Sequence, residues 1–218
     1  MLKRETRIMG LSGIRTGGNI VVTGVIFRGS LWLDGLVTSR FALTQSNYCN
    51  EISRMIAGAR QFSQLHAIIV SRRLTLNRIF SIGELSRRTR IPVISLHKPA
   101  KKVSLNNRAP GSKNFTITVN RKSFVVCAAG VARKDAELLY RIGCSEDNWV
   151  PEPVRVADML AKQLQILQVS RQGELRAMQI RIRNTNKRIK GHRKVMCSGA
   201  CESTVPPHIS RRNFSTRP

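Results

Sequence analysis

Guanidinium and ammonium groups make up most of the chemically capable side chains in this sequence, and such groups hold phosphate rather than turn over a substrate. Arg72, Arg73 and Arg78 follow a short apolar run, with Arg87, Arg88 and Arg90 not far beyond. Lys98, Lys101 and Lys102 lie in a polar, turn-rich stretch, and Arg181, Arg183, Lys187, Arg188, Lys190, Arg193 and Lys194 crowd together towards the far end. A run of charge by itself usually marks a solvated face. Here, however, 38 Lys and Arg stand against 12 Asp and Glu, a net +26 in 218 residues. A compact domain with that imbalance repels itself unless a polyanion covers it, and nucleic acid is the polyanion expected. The charge is densest in residues 161–218, with 13 basic and 2 acidic side chains against 25 and 10 in residues 1–160.

Other constellations carry less. His192, Cys197, Cys201 and His208 are zinc-type donors, but their His-Cys-Cys-His order and loose gaps read as unrelated thiols and imidazoles. His66 and His97 adjoin apolar runs and read as structural, and no Cys-His pair is supported as a nucleophile. Gly10, Gly13, Gly17 and Gly18 read as turn glycines, because a nucleotide loop needs a strand-to-helix context they lack. Aromatic residues are only 5% of the chain, and Trp32 and Trp149 are not set among basic residues in stacking order, which argues against reading by stacked bases. No cofactor, metal or small-molecule substrate is expected. An odd count of five cysteines and no apolar secretory opening lead to the expectation of a reducing, cytoplasmic setting. No run approaches the roughly 18 to 20 apolar residues of a membrane span, so no membrane partner is expected.

The elements that must carry these groups follow from periodicity. Residues 6–12, 19–28 and 31–41 are β-rich stretches joined at Gly17-Gly18 and Gly29-Ser30, which predicts an antiparallel meander. Ile52, Met55, Ile56 and Ala59 recur at helical spacing within residues 47–60, ahead of an apolar strand at 65–70. A helix over 79–88 and a strand over 91–96 repeat the pattern. Residues 98–113 read as an exposed loop, 115–128 as a strand or hairpin, and 131–141 as a short helix. Pro151-Glu152-Pro153 opens a last helix whose stripe is Val154, Val156, Ala157, Leu160, Leu164 and Leu167.

Four stretches in this order carry a resemblance. They are Val22-Thr23-Gly24-Val25-Ile26-Phe27-Arg28-Gly29, Trp32-Leu33-Asp34-Gly35, Glu84-Leu85-Ser86-Arg87-Arg88-Thr89 running into Ile91-Pro92-Val93-Ile94, and Pro151-Glu152-Pro153-Val154-Arg155-Val156-Ala157. Over residues 5–168 the chain resembles the endonuclease dU group, homologues of endonuclease V found mainly in archaea. The resemblance implies an RNase H-like fold, whose nucleases cut phosphodiesters with divalent metal held by clustered carboxylates. In that family the first strand ends in two aspartates, and the matching positions here are Ser12 and Gly13. Two further acids match Thr44 and Asn47. An Asp-Gly after the strand ending at Val70 matches Ser71-Arg72, and an Asn-Val-Val-Asp motif matches Arg78-Ile79-Phe80-Ser81.

The resemblance therefore implies the scaffold without its carboxylates, since only Glu5, Asp34 and Glu51 are acidic in the first 80 residues. The fold expected is α/β, an RNase H-like mixed sheet with an antiparallel meander plus parallel strands, flanked by helices. It should occupy residues 1–163, with a basic RNA-binding extension over 164–218. The function expected is a catalytically inactive, nuclease-like protein that binds structured RNA as an rRNA-binding component of the archaeal ribosome, beside neighbouring ribosomal proteins. Two rivals are an active metal-dependent endonuclease on structured or damaged nucleic acid and a DNA-binding, chromatin-type protein.

Overall fold

The structure is a computed structural model and describes residues 3–42, 48–75, 80–96 and 111–167. The meander is three long antiparallel strands, β1 (Arg7–Thr16), β2 (Asn19–Arg28) and β3 (Trp32–Ala42). β1 runs on past Ser12, where the sequence reading ends it, because pairing with β2 continues unbroken to Thr16 opposite Asn19. Gly17, at φ 59°, then closes the turn in a conformation that costs glycine nothing. α1 (Tyr48–Ala57), β4 (Leu65–Val70) and the single turn α2 (Arg72–Thr75) follow. After them come α3 (Ile82–Thr89), β5 (Val93–Leu96), the hairpin β6 (Ser112–Val119) and β7 (Lys122–Ala129), α4 (Arg133–Gly143), and α5 over residues 152–167.

Local chemistry sets several of these bounds. α3 begins at Ile82 because Ser81 caps it, its hydroxyl accepting from the Glu84 N–H at 3.3 Å. It stops where Arg90 turns left-handed at φ 58° and donates its N–H to the Ser86 carbonyl at 2.8 Å. β5 starts after Pro92, which has no N–H for a ladder but whose carbonyl accepts from Ile68 at 2.8 Å. Asn120 and Arg121, at φ 50° and 61°, form the two-residue turn of the β6–β7 hairpin.

The seven strands lie in the order β3-β2-β1-β4-β5-β7-β6, with β1, β4 and β5 parallel and the other neighbours antiparallel. This is the mixed sheet that the sequence leads one to expect. α1 and α3 cover one face, where Ile52, Ile56 and Leu85 pack on Met9, Leu11, Ile68 and Val70. α4 and α5 cover the other, where Leu139, Tyr140 and Val154 pack on Ile8, Ile69 and Ile94. Each such fully buried side chain contributes on the order of 2 kcal/mol.

α5 is seated unusually close to β1. A Cβ on Gly10 would lie 2.1 Å from the Pro153 carbonyl carbon, so only glycine admits the helix start at this distance. Glu152 anchors the same turn: it accepts from Ser145 Oγ at 3.2 Å, Asn148 Nδ2 at 3.3 Å and Arg155 Nε at 2.8 Å. The hydrogen bonds to Glu152 raise the Arg155 guanidinium above its ordinary value. Along α5 the buried stripe is Val154, Ala157 and Ala161, with Val156 and Leu160 half-buried. Leu167, assigned to the stripe from sequence, is 60% exposed, because the helix has passed the body of the sheet by then. α5 continues through residues 163 and 164, and the basic stretch from 168 onward lies outside the described residues. No described helix is long and apolar enough to cross a membrane.

Candidate functional site

Parallel strands deliver their carboxyl ends to one rim of a sheet, and ligand sites of α/β folds form there. β4 ends at Val70 opposite Leu11, and the Ser71 N–H donates to the Leu11 carbonyl at 2.7 Å. That bond sets Ser12 and Ser71 side by side at the rim. Ser71 Oγ donates to Ser12 Oγ at 3.3 Å, and Ser12 Oγ donates to a carboxylate oxygen of Asp158 on α5. The two serines are fully buried, whereas the Asp158 side chain is 32% exposed. Arg73, on α2, brings Nε to 3.9 Å from the same carboxylate, the long end of ion-pair range. Thr23 stands opposite Ser12 in the β1–β2 register, and its buried hydroxyl finds no hydrogen-bond partner among the described residues.

This donor set does not fit a hard divalent cation. Mg²⁺ prefers several oxygen ligands with carboxylates among them, whereas the rim offers two serine hydroxyls and one carboxylate already engaged by a hydroxyl and approached by a guanidinium. Gly13, the second position matched to the aspartate pair, points to the opposite face, where a Cβ would lie 2.6 Å from Leu74 Cδ1. Ser71 holds the rim together and Ser81 caps α3, so two positions matched to family acids have acquired structural hydroxyls. Thr44, Asn47, Arg78 and Ile79 lie outside the described residues. Among the described residues, no three His, Cys, Asp or Glu side chains come together as a metal site.

Asp158 is the residue of this rim that the sequence motifs did not single out. The quoted motif stops at Ala157, one residue short of it. A signal was present: Val154, Ala157, Asp158 and Ala161 fall at i, i+3, i+4 and i+7, which places an acid on an otherwise apolar helix stripe.

The basic residues separate into groups. Arg72 and Arg73 are exposed on α2 at the carboxyl end. Arg87, Arg88 and Arg90 lie in the last turn and at the C-cap of α3, just before β5 begins and so towards the amino end of the parallel strands. Arg88 is engaged there by Glu84 at 2.8 Å and Asn50 at 3.3 Å, while Arg87 and Arg90 are exposed. The structure thus does not unite these arginines into one surface. Lys98, Lys101, Lys102, Arg181, Arg183, Lys187, Arg188, Lys190, Arg193 and Lys194 lie outside the described residues, as do His97, His192, Cys197, Cys201 and His208. The sequence reading also set Trp32 apart from basic residues. In the β2–β3 register it stands directly opposite Arg28, itself opposite Arg7 on β1.

No family model matches the chain. Its sequence is similar to UPF0215 proteins of archaea: 28% identity over 181 residues, covering 73% of this chain and 88% of the relative, in Methanothermobacter thermautotrophicus. A Methanosarcina acetivorans relative is 26% identical over 180 residues, with 73% and 91% covered. Among solved structures, a protein of unknown function from Archaeoglobus fulgidus superposes with TM-score 0.57 at 15% identity, covering 72% of this chain and 97% of that one. Endonuclease V from Bacillus subtilis superposes with TM-score 0.52 at 12% identity, covering 76% and 82%. The chain is thus similar in sequence to archaeal UPF0215 proteins and has an endonuclease V-like fold.

Proposed function

We propose that this chain is a catalytically inactive, endonuclease V-like protein that binds structured RNA through its basic surface, as an rRNA-binding structural component of the archaeal ribosome beside neighbouring ribosomal proteins. One observation carries the loss of chemistry. At the rim where the fold's nucleases gather carboxylates, Ser12, Ser71 and Arg73 surround Asp158. A guanidinium there meets phosphate directly, with no metal to polarise the bond for attack. The net charge of +26 supplies the affinity, with Arg72 and Arg73 at the rim and the run from Arg181 to Lys194 as further phosphate contacts.

Binding of structured RNA measured across a salt series tests this reading. The expected result is steep weakening with salt, by about one logarithmic unit of slope per phosphate neutralised, and a slope reduced by about two in the Arg72→Glu and Arg73→Glu double variant. Salt-independent or absent binding overturns it. Gradient sedimentation of lysate tests the finer assignment: co-migration with a ribosomal subunit supports it, and recovery with DNA favours the chromatin-type reading instead. The presence of Asp158 favours a second reading, an active endonuclease with that acid at its centre. Metal-dependent cleavage abolished by Asp158→Ala would establish that reading.

A further inference from the structure

At the amino end of the parallel strands, the far end of the sheet from Asp158, three large apolar side chains stand in water on consecutive residues. Leu31 is 78% exposed, Trp32 69% and Leu33 61%, at the turn from β2 into β3. Monomeric proteins rarely leave such a group uncovered unless something binds there. The turn is held firmly. The Gly29 N–H donates to the Thr6 carbonyl at 3.0 Å, and a side chain on Gly29 would strike the Arg4 carbonyl at 2.3 Å. The β2–β3 register shifts at Ile26/Phe27, so Asp34 falls out of the pairing and accepts from Arg7 at 2.5 Å and Arg28 at 3.2 Å. Gln61 donates to the Asp34 carbonyl at 2.7 Å, which brings its exposed neighbour Arg60 to the same end.

The electrostatics single out the occupant. Asp34 is matched by two arginines, so the surface around Trp32 keeps a cationic surplus from Arg28, whose side chain is 45% exposed, and from Arg4 and Arg60. Trp32 is paired with Arg28 in the β2–β3 register, and cross-strand neighbours project to the same face of the sheet. An aromatic plane beside a net cationic surface suits a nucleobase with its phosphates, since stacking is sequence-tolerant and the backbone supplies the charge. An acidic protein face would satisfy the arginines but leave the ring without a planar partner.

We propose that Trp32, paired across the strands with Arg28 and at the same end of the sheet as Arg60, is a stacking platform for an unpaired base of the bound RNA, at the opposite end of the sheet from the Ser12–Asp158 rim. The inference rests on the RNA-binding reading. Two probes test it with the full chain: a fully paired RNA hairpin, and the same hairpin carrying unpaired adenosines. Trp32→Ala should weaken the second complex about tenfold, the loss of one stacked base, and leave the first within a factor of about two. Trp32→Phe should retain the affinity. In a Trp149→Phe background, where Trp32 alone emits, the unpaired probe should quench its fluorescence. Equal binding of both probes by wild type and Trp32→Ala, with the salt dependence intact, overturns the platform while leaving RNA binding standing. Loss by Trp32→Ala of a wild-type dimer in analytical ultracentrifugation also overturns it, by making the tip a contact between copies. A wild-type chain that binds neither probe overturns the RNA-binding reading itself.

Discussion

Asp34 and Asp158 lie at opposite ends of this sheet, and their surroundings differ. At the amino end, Asp34 has two close arginine partners, and their hydrogen bonds hold its carboxyl below the ordinary carboxylate value. At the carboxyl end, Asp158 has a buried serine hydroxyl and one arginine at 3.9 Å. The first arrangement is a closed ionic clamp that shapes a turn and frees the aromatic tip beside it. The second is a part-exposed rim where, among the described residues, the Asp158 carboxylate meets a hydroxyl and one arginine. The contrast shows that an acid's sequence neighbourhood says little about its role; the number and closeness of its cationic partners say more.

The largest break in this contrast should come from rebuilding an acidic cluster at the open end. Ser12→Asp together with Ser71→Asp would bury two carboxylates beside Asp158, and like-charge repulsion with desolvation should cost about 4 kcal/mol, read as a fall in melting temperature. Mn²⁺ should restore part of that loss in the double variant and leave the wild type unchanged. A wild-type melting temperature that already rises with Mn²⁺ would mean the rim can seat a metal as it stands.

Gly10→Ala attacks the same end indirectly. Its methyl group meets the Pro153 backbone, so α5 must lift and draw Asp158 away from Ser12, at about 3 kcal/mol in chemical denaturation. Glu152→Gln should cost less, about 1 to 2 kcal/mol, because amide hydrogen bonds to Ser145 and Asn148 can persist while the charge facing half-exposed Arg155 is lost. A tolerated Gly10→Ala with a severe Glu152→Gln would reverse this ranking and move the anchor of α5 from close packing to the ionic latch.

The smallest effect concerns pH at the clamped end. Asp34 has its carboxyl lowered from 3.8, so its contribution is fully present above that value and fades as pH falls through its folded-state value. The stability difference between wild type and Asp34→Asn should be level above about pH 5 and shrink below about pH 4. A difference that grows with acid would contradict the clamp.

Much of this architecture was legible in the sequence because local signals agreed with one another. Glycine turns at Gly17-Gly18 and Gly29-Ser30 marked the meander, and the apolar runs at 65–70 and 91–96 became the central strands, the second starting only after Pro92. α2 was not legible, since one helical turn presents no periodicity. The separation of Arg72 and Arg73 from Arg87, Arg88 and Arg90 depends on α3 running back along the sheet, which spacing alone does not reveal. The pairing of Trp32 with Arg28 depends on a register that shifts at Ile26/Phe27. Asp158 was legible as an acid on an apolar helix stripe, but it lies on the last helix, beyond the family motif that ends at Ala157.

The central proposal is that the carboxyl end of this endonuclease V-like fold binds phosphate and does not cut it. The most direct measurement is incubation of purified full-length protein with structured RNA and Mg²⁺ or Mn²⁺, with Asp158→Ala and EDTA as controls. The account predicts intact RNA in every lane, with binding persisting in EDTA. Cleavage that vanishes with EDTA and with Asp158→Ala would contradict it.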